Sequence, residues 1–288
     1  MNVQLQKGTS LWQDAYRRIL ANRLALISLW VFIFVALLCL LGPLFMEHSY
    51  EDQTLANASQ PPSLDHWMGT DTLGRDLYVR ILCGGRISIA VGFVATMVSL
   101  LIGVAYGASS AYLGGRIDTT MMRIVDVLYA LPFTVFVILL TVIFGRSIIM
   151  LFIAIGAVEW LTMARIVRAQ VLDVKKQTFV EAAITLGLNK KTIIWRHILP
   201  SILGPVVVYS TLTIPAVILL ESVLSFLGLG VQPPMSSWGT LIKEGADLME
   251  MYPWMLFFPV IFFSATLLCL NFIGDGIRDV LDPQSSTD

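Results

Sequence analysis

Long runs of apolar residues without a single charge set the pattern of this chain. Residues 24–46 are uncharged for 23 positions, residues 87–115 for 29 and residues 251–274 for 24. A hydrocarbon core of about 30 Å takes about 20 apolar residues of α-helix, so each run predicts a membrane span. Residues 127–145 add 19 uncharged positions and residues 198–220 add 23, while residues 147–164 carry one charge, Glu159. The pattern therefore predicts an all-α, polytopic membrane protein with six transmembrane helices. The first run exceeds the roughly 7–15 residues of a cleavable signal and no small-x-small site follows it. It is expected to stay as an anchor.

Between the spans the periodicity changes to that of amphipathic helices. Trp12, Ala15, Tyr16 and Ile19 share a face beside Arg17 and Arg18, the pattern of a helix lying at a membrane interface or of a flank of the first span. In the segment 165–197, Phe179, Ala182, Ala183 and Leu186 fall at i, i+3, i+4 and i+7 of one helical face. Gly187 ends that helix, because glycine alone enters the left-handed conformation without a Cβ penalty, and Leu188 is the apolar residue expected after such a stop. Asn189 can cap a second helix with Ile193, Ile194, His197 and Ile198 as its stripe. Pro200 then suits the start of the next span. This helix-turn-helix reads either as a linker or as a docking surface. In the segment before the second span, Leu77, Ile81 and Leu82 share a face between Arg75, Asp76 and Arg80, predicting a short helix on the membrane surface.

Composition agrees with the membrane reading: 56% of residues are hydrophobic and 14% charged, against about 25% charged in soluble domains. Lys+Arg (19) and Asp+Glu (20) balance, which gives no reason to expect a nucleic-acid partner. Their placement orients the chain, since basic residues resist translocation. With the N-terminus inside, 14 basic residues lie in the cytoplasm and 5 outside, and the outer segments 47–86, the turn at Arg146 and 221–250 hold 10 acidic residues. Both termini are then cytoplasmic. Cys39, Cys83 and Cys269, and His48, His66 and His197, show neither a disulfide framework nor metal-ligand spacing. No G-x-x-x-x-G-K-[ST] loop is present to cradle a nucleotide. Nor is there a nucleophile-and-base constellation for intramembrane catalysis.

Ionisable groups within spans are costly and count as functional candidates. Glu159 reads as lining a path or as pairing structurally with Arg165. Glu221, near the outer end of the fifth span, reads as a gate or, preferably, as an interfacial carboxylate. Asp126 and Arg123, one turn apart, read as an inner-surface pair, and Pro132 and Pro215 fall within spans. Asn271, deep in the sixth span, is a candidate path residue whose preferred role is a helix-to-helix hydrogen bond. Asp71, Arg75 and Asp76 form a local ion-pair network or a receptor-facing surface, the first being preferred because ion pairs are common in loops. An ion-coupled secondary transporter, with Glu159 and Glu221 as coupling sites, remains the alternative class. The internal repeats usual in that class are not evident.

Glu181-Ala182-Ala183, then Gly187, then Leu199-Pro200 twelve residues on, resembles the signature loop of the membrane subunits of binding-protein-dependent ABC importers. One position departs: His197 stands where that family often has isoleucine, with Ile198 beside it on the same stripe. "NRLALISL" (22–29), "GTDTLGRD" (69–76), "GGRISI" (84–89), "ARIVRAQ" (164–170), "ESVLSFLGLG" (221–230) and "GDGIRDVLDP" (274–283) are similar to the oligopeptide, dipeptide and nickel branch. Within it the chain most resembles the C-type subunit of oligopeptide permeases. The resemblance implies a type I ABC importer transmembrane domain in a bacterial inner membrane, working beside a homologous second permease, two ATP-binding subunits and a periplasmic substrate-binding protein. ATP and magnesium would be bound by the partners, leaving this chain no cofactor, no metal and no enzymatic activity. Cargo would be oligopeptides, with dipeptides, nickel or glutathione as alternatives. The chain then divides into a cytoplasmic segment 1–23, an anchor 24–46, a periplasmic loop 47–86, a core 87–274 with a coupling loop 165–197, and a tail 275–288. Glu181, Ala182, Ala183, Gly187, Asn189, Ile194, Ile198, Leu199 and Pro200 would carry the contact with the ATPases.

Overall fold

A computed structural model describes residues 22–46, 48–145 and 147–281, and the regular elements among them are helical. The interfacial helix expected over residues 11–20, Arg146 and the tail 283–288 lie outside the described residues. Helix α1, Arg23–Leu41, starts at Asn22, whose side chain accepts from the Ala25 N–H at 3.2 Å. It runs on through a 3₁₀ turn, Gly42–Leu44. Helix α2, Leu77–Leu113, is capped by Asp76, whose carboxylate accepts from the Val79 N–H at 3.0 Å. Then follow α3, Gly115–Tyr129, α4, Phe133–Phe144, and α5, Ile148–Val174. A short α6, Thr178–Thr185, precedes α7, Lys190–Ile193, which passes through a π-turn, Ile194–Ile198, into α8, Leu199–Phe226. Helix α9, Trp238–Asp247, and α10, Trp254–Leu281, are the last of the described elements.

By length and composition, Arg23–Leu44, Leu77–Leu113, Ile148–Val174, Lys190–Phe226 and Trp254–Leu281 can each cross a membrane, while α3 and α4 form a sixth unit bent by 82°. The third span is therefore not one continuous helix. Pro132 sits at the N-cap of α4 rather than within a span, because a proline lacks the N–H that a helix interior needs and pushes the residue before it away from the α region. The 12 residues of α4 reach about 18 Å at 1.5 Å per residue, short of the bilayer core.

Other spans are longer than the uncharged runs predict, α2 and α5 among them. Helix α2 absorbs the expected surface helix, so Leu77, Ile81 and Leu82 are buried core rather than a membrane-surface face. Helix α5 absorbs Arg165 and Arg168. In each case the charges that seemed to mark a boundary are neutralised locally. Arg86 donates to the end carbonyls of α1, Cys39 O at 2.7 Å and Leu40 O at 2.6 Å. Arg168 and Arg165 pair with Asp118 and Asp126 of α3.

Helix α2 is the axis of the bundle and packs on α5 through small residues, the way helices approach closely where no water drives them together. A Cβ at Gly103 would lie 2.5 Å from Met163 Cβ, and one at Gly107 would overlap the Ala164 carbonyl. Helix α8 lies on the same helix at Gly92, where a Cβ would come within 2.6 Å of Ile218. Helices α1 and α10 run antiparallel, with Ala25 against Gly276. At one end, here the capped end, residues 48–76 and α9 cover the bundle. At the other, the basic end, α3, α6 and α7 meet α2 and α5.

Candidate functional site

At the basic end, α6 turns Val180 and Ala183 into a core cluster with Ala111, Met163, Val171, Ile193 and Ile198. Gly187 has φ +76, and two bonds close the turn: Leu188 N–H to Ala183 O at 3.2 Å and Gly187 N–H to Ile184 O at 2.9 Å. That pair of bonds is the Schellman arrangement, which satisfies carbonyls left open at a helix C-terminus. Asn189 then caps the next helix, accepting from the Thr192 N–H at 2.7 Å. The second helix is not a separate element, because Leu199 N–H reaches five residues back to Ile194 O and the chain continues into α8. This wider register falls next to Pro200, which has no donor of its own.

The predicted stripe of the first helix faces the other way. Of Phe179, Ala182, Ala183 and Leu186, the structure buries only Ala183, with Val180 as its partner on the inner face. An eight-residue helix lies against the bundle on its smaller side chains, which allow the closer approach. Phe179 is 44% exposed, Leu186 80% and Trp195 73%, and the exposed Glu181, Lys190, Lys191 and Arg196 lie on the same segment. The stripe of the second helix, by contrast, is directed inward: Ile193 and Ile198 are buried, with Ile194 and Leu199 packed against the same cluster.

Ion pairs fix α3 to α5 beside this surface. Asp118 takes both Arg168 nitrogens at 2.6 Å and the Ser110 hydroxyl, while Lys175 donates to Tyr112 O at 2.9 Å. Arg165 donates to Asp126 at 2.9 Å and stacks over the Tyr129 ring at 4.2 Å. Neither the Glu159–Arg165 pair nor the Arg123–Asp126 pair is formed, since Arg165 spans from α5 to α3 and occupies Asp126.

Above that layer, Glu159 lines a cleft of about 330 Å³ whose walls include Tyr129, Phe133 and Phe136 from the α3–α4 break, Thr162 of α5 and Leu220 of α8. The carboxylate is half-buried and makes no hydrogen bond or ion pair among the described residues. Asn271 is exposed on α10 and donates to Leu267 O of its own helix at 2.8 Å. The helix-to-helix bond expected of it is not made among the described residues, because a carbonyl one turn back is closer to hand.

At the capped end Asp71, Asp76 and Glu221 are buried. Glu221 has no exposed surface, so it is neither an interfacial carboxylate nor open to a path. It accepts from Ser225 at 2.6 Å, Ser88 at 3.0 Å and Ser222 at 3.4 Å. The same serines extend the network to α9, where Ser237 donates to Ser225 Oγ at 3.1 Å and Trp238 N–H to Ser88 Oγ at 3.2 Å. Asp71 accepts Arg75 Nε and Arg80 Nη1, each at 2.6 Å, and Arg80 reaches on to Glu244 of α9 at 2.6 and 3.1 Å. Asp76 Oδ2 meets His66 Nδ1 at 2.8 Å. Of the expected network the Asp71–Arg75 pair is formed, whereas Asp76 pairs with His66 instead; all three side chains are buried and tie the loop to α2 and α9. Sequence reading missed the serines and the Asp118–Arg168 pair. Glu221 and Ser225, one turn apart, were the available signal. Among the described residues no group of three or more His, Cys, Asp or Glu could hold a metal.

The family described as "Binding-protein-dependent transport system inner membrane component" matches residues 88–286, and the N-terminal transmembrane domain of oligopeptide transport permease C matches residues 10–62. The oligopeptide transport system permease protein OppC of Haemophilus influenzae is 50% identical over 284 residues, covering 98% of this chain and 91% of the relative. The dipeptide transport system permease protein DppC of Bacillus subtilis is 45% identical over 273 residues, 94% of this chain and 85% of the relative. Among solved structures, an inward-facing conformation of the MetNI methionine ABC transporter superposes with a TM-score of 0.60 at 18% identity, covering 72% of this chain and 96% of that one, a likeness of fold.

Proposed function

The chain belongs to the family of binding-protein-dependent transport system inner membrane components, and on that premise we propose that it is one permease subunit of an ATP-driven importer carrying oligopeptides across a bacterial inner membrane. The observation that carries this reading is the order of the two family matches, 10–62 and then 88–286, together with a full-length oligopeptide-permease relative at 50% identity. The basic end faces the cytoplasm, in keeping with the 14 to 5 basic asymmetry. Its partners are a homologous second permease, two ATP-binding subunits that hold ATP and magnesium, and a substrate-binding protein at the capped end.

Coupling runs through α6 and the Gly187 turn. The exposed Phe179, Leu186 and Trp195, with Glu181 and Lys190 among them, supply an apolar surface with a charged rim, the usual anatomy of a protein-binding patch. Val180 and Ala183 share their cluster with Ile193 and Ile198, so a displaced α6 carries the start of Lys190–Phe226 with it. That continuous helix reaches from the docking surface to Glu221 at the capped end. Interior packing is too dense to absorb the movement. The spans therefore tilt, and the path opens alternately to each side.

Gly187→Val tests this. Nothing lies within 4 Å of a Cβ at Gly187, so the substitution costs backbone strain of about 1–2 kcal/mol, more for a branched residue, without a packing clash. The protein should insert, but ATPase subunits should co-purify more weakly, or hydrolyse ATP without peptide uptake in proteoliposomes. Glu181→Ala should give a milder form of the same defect. Full ATPase association with unimpaired uptake for Gly187→Val would reduce the segment to a linker. A dipeptide cargo is the second reading, favoured by the 45% identity to a dipeptide permease. Competition between alanyl-alanine and penta-alanine for uptake separates the two, and uptake that survives collapse of the proton gradient excludes ion coupling.

A further inference from the structure

Glu159 lies six residues before Arg165 on α5, about 9 Å along the helix axis at 1.5 Å per residue. A carboxylate at that depth is costly without a counter-charge, hydrogen bonds or water. The buried acids are matched: Asp118 with Arg168, Asp71 with Arg75 and Arg80, Asp76 with His66, and Glu221 with its serines. Glu159 has no such partner among the described residues, and the next cation on its own helix, Arg165, is committed to Asp126 and to the Tyr129 ring. Its cleft of about 330 Å³ is walled by Tyr129, Phe133 and Phe136. With the Tyr129 ring already taken by Arg165, the rings of Phe133 and Phe136 and the carboxylate favour the same occupant, a cation. The volume stands at the low end of the roughly 300–1,000 Å³ of small-ligand pockets, room for one end of a peptide and not for its length.

Resting on the oligopeptide-import reading, we infer that this cleft receives a primary ammonium of the passing peptide, its N-terminal one, with Glu159 as counter-ion. Every unmodified peptide carries that group whatever its side chains. A site that reads it grips cargo without selecting sequence. The grip is weak enough to release, because one exposed ion pair contributes little once water returns.

The test uses the whole transporter with both permeases and the ATPases, purified with Phe133→benzoylphenylalanine, a photoreactive ring on the cleft wall. Irradiation with radiolabelled penta-alanine should give a peptide adduct on this chain, and N-acetyl-penta-alanine about tenfold less. N-acetyl-tetra-alanyl-lysine distinguishes the source of the ammonium: an adduct assigns the cleft to any primary ammonium, its absence to the N-terminus, and either upholds the counter-ion role. Adding Glu159→Gln should lower the penta-alanine adduct by a similar factor, with Glu159→Asp retaining more of it. Equal adducts from acetylated and free penta-alanine, equal adducts with Glu159 and Gln, or adducts to the second permease or lipid alone would overturn the inference. Should Glu159→Gln fail to assemble, the acetylation comparison on the chain with Glu159 intact decides. ATP-dependent uptake of penta-alanine by the unaltered complex tests the import reading separately, whichever way the cleft result falls.

Discussion

Glu221 and Glu159 look alike along the sequence, each a lone acid at the edge of an apolar run, and the fold gives them opposite surroundings. Three serine hydroxyls donate to Glu221. Glu221→Ala removes the acceptor, and each buried hydroxyl left without a partner costs about 1–3 kcal/mol. The variant should therefore lower the thermal unfolding temperature of the purified complex clearly. Glu221→Gln keeps a carbonyl acceptor in nearly the same volume and should lose much less. Equal losses for the two would mean that the cavity, rather than the hydrogen bonds, sets the cost. Depth along a span was legible in the sequence, because it follows from counting residues. Which way a side chain faces was not, since that depends on Ser88 arriving from α2 and Ser237 from α9, more than a hundred and a dozen residues away respectively in the partners' own bonds.

Helix ends show the same division between local and distant information. The Gly187 stop and the Asn189 cap were legible, because both are made by residues within a few positions of each other. The start of α2 and the end of α5 were misread, because Arg80, Arg165 and Arg168 count as boundary charges until Glu244, Asp126 and Asp118 are brought to them. The close approach of α2 and α5 depends on Gly103 and Gly107. A side chain at Gly107 meets the Ala164 carbonyl, backbone that cannot rotate away. Gly107→Val should thus separate the helices, costing about 1–3 kcal/mol or more as overpacked cores do, and cut the yield of monodisperse protein. Gly204 on α8 has nothing within 4 Å of a Cβ, so Gly204→Ala should leave the yield unchanged. Equal behaviour of the two variants would remove the small-residue contact as the determinant of this packing.

Across the whole molecule, the two ends differ in chemistry as well as shape. The capped end ties its loop and α9 to the bundle with buried acids, whereas the basic end leaves apolar and cationic side chains uncovered around α6. The proposed orientation, with the basic end in the cytoplasm, rests on the retention of basic segments on that side. The bent α3–α4 unit must supply a crossing for the two ends to stand on opposite sides of the bilayer; without it α5 would return the chain to the wrong face. Labelling checks both statements at once. In a chain with Cys39, Cys83 and Cys269 replaced by alanine, Leu64→Cys, at a position 94% exposed, should react with an impermeant maleimide added from the periplasmic side. Lys190→Cys, on the exposed turn after Gly187, should react when the reagent reaches the cytoplasmic face. Reaction of both from one side would mean that α4, with its 12 residues, does not complete a crossing, and the placement of the ATPases against α6 would have to change with it.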